Sequence, residues 1–203
     1  MKTIPQAMLR KCVALILVSA LGIPTGCLYA GDPGHVQVDP SLVATMEGVR
    51  VKLIRHSTGC DAVESQGLIV EVGPWLEYPA EVVSALKANC ALAHSPGVEV
   101  HVEDSAVVFD FSNVEEPGRF HDGEFEGYIL ELVRSADAPV LVAALVDSKM
   151  STLGIFQDDL SFDEDRLQIN LAGHSFESGS VLRINLYLTR GSEPADSGTS
   201  GVM

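Results

Sequence analysis

Apolar and polar residues alternate over much of this chain, and alternation is the mark of strands, whose successive side chains point to opposite faces. The pattern is clean in Val49-Arg50-Val51-Lys52-Leu53, Val98-Glu99-Val100-His101-Val102, Leu167-Gln168-Ile169-Asn170-Leu171 and Leu182-Arg183-Ile184-Asn185-Leu186-Tyr187-Leu188. Further strands are predicted over 68–72, 106–111, 128–133 and 140–146. The last of these is apolar throughout, which predicts a central strand buried on both faces. Turn chemistry separates the segments: Ser57-Thr58-Gly59, Ser95-Pro96-Gly97, Glu116-Pro117-Gly118, Asp122-Gly123 and Ser178-Gly179. Only 81–92, where Val82, Leu86 and Cys90 recur every four residues, reads as helical, and the same stretch also suits a strand and a loop. Many short strands between turn signals predict an all-β fold, an antiparallel β-sandwich of jelly-roll or Ig-like type with one short helix.

The first 30 residues break this pattern. Lys2, Arg10 and Lys11 precede an apolar run from Cys12 to Ile23, which ends at Pro24-Thr25-Gly26. That order predicts a signal peptide over 1–30 and an exported protein, periplasmic or extracellular. The run is shorter than the ~20 residues a membrane-spanning helix needs, so no transmembrane segment is expected in the mature chain. Leu28-Tyr29-Ala30 suits cleavage before Gly31, while Gly26-Cys27 resembles the end of a lipoprotein box and makes Cys27 the alternative lipidation site and membrane anchor. Either processing leaves Cys60 and Cys90 to pair as a disulfide in an oxidising compartment. Residues 31–190 then form a single β-sandwich domain, followed by a polar, disordered tail over 191–203.

Charge narrows the partners. All 28 acidic residues and ten of the 13 basic ones lie after Ala30, a formal charge of −18 for 31–203. So acidic a chain is not expected to bind nucleic acid, which rewards a basic face.

Three stretches carry a family likeness. Glu71-Val72-Gly73-Pro74-Trp75-Leu76-Glu77-Tyr78, Val107-Val108-Phe109-Asp110-Phe111-Ser112 and Phe125-Glu126-Gly127-Tyr128 resemble a β module of exported bacterial proteins that often carry a C-terminal Pro-Glu-Pro sorting tag. Val146-Asp147, Leu160-Ser161-Phe162 and Ile169-Asn170-Leu171-Ala172-Gly173-His174-Ser175-Phe176 continue the likeness. The resemblance implies an extracellular β domain and brings no catalytic residues with it. The 191–203 segment has no Pro-Glu-Pro motif, so sorting by that tag is not expected.

Motifs with dedicated chemistry are sparse. Gly173-His174-Ser175-Phe176-Glu177 lacks the second glycine of a hydrolase nucleophile elbow and precedes a strand instead of a helix. The six histidines show no zinc spacing, and His121-Asp122 is the pair whose carboxylate best suits orienting an imidazole. Asp158, Asp159, Asp163 and Asp165, with Glu164, flank Leu160-Ser161-Phe162 as candidate Ca2+ ligands, since hard cations take several oxygens. Trp75 and Tyr78, between Pro74 and Pro79, are the candidate ligand surface for a sugar or peptide. The favoured expectation is that Trp75 and Tyr78 plug one end of the sandwich, because Trp75 is the only tryptophan and tryptophans are highly buried on average. These readings predict a binding or structural role in the envelope or extracellular matrix, with a polysaccharide or envelope protein as partner. The alternative is a secreted glycan-active or other hydrolytic enzyme that uses carboxylates.

Overall fold

The computed structural model describes residues 44–58, 67–86, 97–135 and 138–190, all within one compact unit. The predicted signal peptide with Cys27, the Cys60–Cys90 pair and the 191–203 tail lie outside the described residues. Two antiparallel sheets carry the fold. One has five strands: β1 (Arg50–Ser57), β2 (Leu68–Glu71), β6 (Glu126–Leu132), β8 (Leu160–Phe162) and β9 (Arg166–Asn170), in the order β2-β1-β6-β9-β8. The other has four: β3 (Glu99–Glu103), β4 (Ala106–Asp110), β7 (Pro139–Val146) and β11 (Val181–Arg190), in the order β3-β4-β11-β7. A two-stranded ribbon pairs β5 (Gly118–Arg119) with β10 (Ser175–Phe176).

The alternation read from the sequence is what allows the sheets to stack. Val51 and Leu53 of β1, Tyr128, Leu130 and Leu132 of β6, and Leu167 and Ile169 of β9 point inward from the first sheet. Val100 and Val102 of β3, Val107 and Phe109 of β4, and Leu182, Ile184, Leu186 and Leu188 of β11 meet them from the second. Phe109 and Tyr128 touch across the interface with ring centroids 5.1 Å apart. At one end Phe111, Phe120 and Phe176 close the core as a ring cluster. Each such side chain contributes about 1.5–3 kcal/mol on leaving water, so this all-β sandwich rests on its two inner faces.

Two elements differ from their sequence readings. The helix predicted over 81–92 is observed as α1 (Ala80–Ala85), set against β3 by buried Val83 and by partly buried Val82 and Leu86; residues 87–92 lie outside the described residues. The apolar run 140–146 is not central. β7 is the edge of its sheet, and Val142 and Leu145 of its outer face are exposed. A β-bulge explains part of this, because Ala143 pairs with Tyr187 and Leu141 with Leu188, leaving Val142 as the extra residue. An apolar run records composition on both faces, and that composition does not fix a strand's place in the sheet.

An apolar edge invites pairing with another chain. Here the Gln157 amide fills the exposed ladder. Its Nε2 donates to the Ala144 carbonyl at 2.8 Å and its Oε1 accepts from the Val146 N–H at 3.1 Å. Further along, the Leu141 N–H donates to the Glu164 carbonyl at 2.8 Å. Gln157→Ala is therefore expected to leave the fold intact and to produce concentration-dependent self-association, measured by light scattering. A variant that stays at the wild-type size would show that the side chain does not guard the edge.

Candidate functional site

The stretch from the end of β2 to the start of α1 is built as a clamped loop. The turn at 46–49, with Gly48 at φ +74°, lies against Val72: the Gly48 N–H donates to the Val72 carbonyl and the Val72 N–H to the Val49 carbonyl, both at 2.9 Å. The chain then reverses over 73–77. Glu77 holds that reversal from the inside, its side chain only 2% exposed. Its Oε1 accepts from the Gly73 N–H at 3.2 Å, its Oε2 accepts from the Val102 N–H at 2.9 Å, and His101 Nδ1 lies 2.9 Å from that same Oε2.

Tyr78 fixes the outgoing side. Its backbone exchanges two hydrogen bonds with Val100, at 3.1 and 2.9 Å, and its hydroxyl lies 2.9 Å from the Val51 carbonyl and 3.2 Å from that of Leu68. Burial pushes the Tyr78 phenol pKa far up, so the hydroxyl stays a donor. Between Gly73 and Glu77 stand Trp75, 78% exposed, and Leu76, 39% exposed.

The plug expected from the sequence is thus corrected in one of its two residues. Tyr78 is fully buried and takes no part in a surface, whereas Trp75 is displayed to solvent. The reason is local. The buried place in this loop goes to a carboxylate that satisfies two backbone N–H groups, and the indole two residues earlier sits at the tip. Average tryptophan burial does not anticipate a loop anchored by a buried glutamate.

Of the acidic candidates Asp163 and Asp165 touch each other, and Asp159 is engaged locally. Asp159 accepts from the Phe156 N–H at 2.7 Å and lies 3.2 Å from His174 Nε2. Asp163 accepts from the Asp165 N–H at 3.2 Å. The Arg134 guanidinium beside Asp165 holds that carboxyl below its ordinary range. Asp158 is exposed. Among the described residues no group of three or more His, Cys, Asp or Glu side chains is placed to hold a metal. Asp122 pairs with Arg119 at 2.9 Å. Ser175 lies in β10, a strand, with no helix after it.

Surface clefts among the described residues include two that are lined by carboxylates. One of about 170 Å³ is lined by Leu132, Arg134, Pro139, Val140, Glu164 and Asp165. The Arg134 guanidinium holds Asp165 below its ordinary range, the direction opposite to the one an acid catalyst needs. An open one of about 600 Å³ is lined by Gly118, Arg119, Thr152, Ser175, Phe176 and Glu177. Neither includes Trp75.

One polar cluster escaped the sequence reading. Arg55 and Glu126 are 1% and 2% exposed and form an ion pair inside the sandwich. Arg55 Nη1 also donates to the Gly127 carbonyl at 2.8 Å and the His56 carbonyl at 2.9 Å. Alternation held the signal, since Val51, Leu53, Arg55 and Ser57 share the inner face of β1.

No family model, curated protein or solved structure matches the chain. Among the described residues no helix is long and apolar enough to cross a membrane.

Proposed function

We propose that this is an exported β-sandwich protein with a binding role in the envelope or extracellular matrix, and that the Trp75 loop is its contact surface. The observation that carries the reading is a 78% exposed indole on a loop held at its entry by the Val72 and Gly73 backbone and at its exit by Glu77 and Tyr78. Aromatic side chains dominate binding hot spots, and a loop fixed beforehand loses little freedom on contact. The export part rests on the leader pattern and on the resemblance to exported β domains. The partner is an envelope protein or polysaccharide. That the buried Glu126 pairs with Arg55, Asp159 caps the Phe156 N–H and Asp165 pairs with Arg134 supports binding over carboxylate catalysis.

Trp75 is the only tryptophan, so intrinsic fluorescence reports on this loop alone. Titration with envelope proteins and polysaccharides is expected to shift or quench that emission. Trp75→Ala is expected to change stability by less than about 0.5 kcal/mol, as at other exposed sites. The same change should weaken partner binding by about 2 kcal/mol or more, roughly 30-fold. A partner held equally well by Trp75→Ala in calorimetry would overturn the assignment.

A further inference from the structure

The charge around the loop selects between the two kinds of partner. Glu47 lies in the turn hydrogen-bonded to Val72, Glu71 ends β2 two residues before Gly73, and Glu81 opens α1 three residues after Tyr78. All three are exposed. Arg50 stands opposite Glu71 in the β1–β2 register and offsets that carboxylate. Glu47 and Glu81 have no ion pair among the described residues. Beyond them the chain from residue 31 carries a formal charge of −18.

We infer that the Trp75 loop docks a cationic peptide segment, one that lays a lysine or arginine side chain over the indole with its charge toward Glu47 and Glu81. This rests on the reading of the loop as the contact surface. Three features favour it over a neutral sugar. The face of an indole attracts cations through its quadrupole. Exposed Pro74 and Leu76, its neighbours in the chain, offer apolar contact to the stem of a long basic side chain. Small neutral ligands are held in concave sites with convergent polar groups, whereas Trp75 leaves 78% of its surface exposed at the tip of its loop. The carboxylates also speed encounter with a positive partner and repel acidic ones.

The experiment uses the full chain and three probes: hexalysine, hexaglutamate and a neutral oligosaccharide, each titrated while Trp75 emission is followed. Hexalysine is expected to quench or shift the emission, with affinity falling about tenfold as salt rises from about 0.02 to 0.5 M, since exposed charges are screened over that range. The Glu47→Gln/Glu81→Gln variant is expected to keep the wild-type thermal midpoint and to bind hexalysine at least about threefold more weakly. Hexaglutamate should give no response. A response to the oligosaccharide without one to hexalysine would overturn the cationic partner and leave the loop as contact surface. No response to any probe would count against both. Hexalysine binding unchanged in the double variant would place the attraction elsewhere and overturn the inference.

Discussion

Gly127→Ala is expected to leave the domain only marginally stable. Gly127 sits in β6 between His56 of β1 and Asn170 of β9. A Cβ there would lie 1.9 Å from the Ile169 carbonyl oxygen and 3.2 Å from the Leu171 nitrogen. Both are backbone atoms of the neighbouring strand and the residue after it, so no rotamer change relieves the clash. The β6 and β9 backbones must part, and the Gly127 carbonyl that accepts from buried Arg55 moves with them. Overpacking a core usually costs about 1–3 kcal/mol, and a clash with backbone belongs at or beyond the top of that range. Against a total of about 5–15 kcal/mol the domain is left marginal. Gly154, whose Cβ would meet nothing within 4 Å, is the control: Gly154→Ala should move the urea midpoint by less than about 0.5 kcal/mol in free energy. A Gly127→Ala protein that melts within a few degrees of wild type would mean that the two strands tolerate separation.

The same glycine shows what the sequence can and cannot convey. Strand existence was legible because alternation is local: 98–102, 167–171 and 182–188 became strands within a residue or two, and 49–53 became β1, which runs on to Ser57. Strand order was not legible, because it depends on pairings between distant residues. Hence 140–146 was read as central although it forms the edge, and nothing in Phe125-Glu126-Gly127-Tyr128 announced a backbone approach to β9. The site was half legible. Trp75 and Tyr78 were singled out as aromatic residues between prolines, but their opposite exposures are decided by Glu77, whose partners at Val102 and His101 come from another strand. Asp158 to Asp165 show the complementary side. Nearness in sequence suggests a shared ion, and the contacts that nearness did not reveal are those of Asp159 with the Phe156 N–H and of Asp165 with Arg134.

Breaking the Arg55–Glu126 pair from one side is expected to destabilise the protein by about 3–5 kcal/mol, because the remaining charge is stranded where water does not reach. Arg55→Met leaves Glu126 buried at 2% exposure, and Glu126→Leu leaves the guanidinium between the Phe120 and Tyr128 rings, 5.7 and 5.1 Å from their centroids. Removing both charges is a different experiment. Arg55→Met/Glu126→Leu pairs no ion but desolvates none, so its stability is expected to return to within about 1 kcal/mol of wild type or to exceed it. Urea unfolding of the four proteins gives the coupling energy directly. Strong coupling, with the double variant far more stable than either single, means that the pair offsets its own desolvation and little more. What it adds is register. Arg55 faces Tyr128 and Ser57 faces Glu126 across β1 and β6, and a one-residue slip would turn Arg55 away from Glu126 and carry the whole inner face of β1 outward. That slip would also displace Val51, whose carbonyl faces the Tyr78 hydroxyl beneath the Trp75 loop. If the pair sets register, the stable double variant should show a heterogeneous Trp75 emission and weaker partner binding. If instead it keeps both at wild-type values, packing alone sets the register and the ion pair is dispensable.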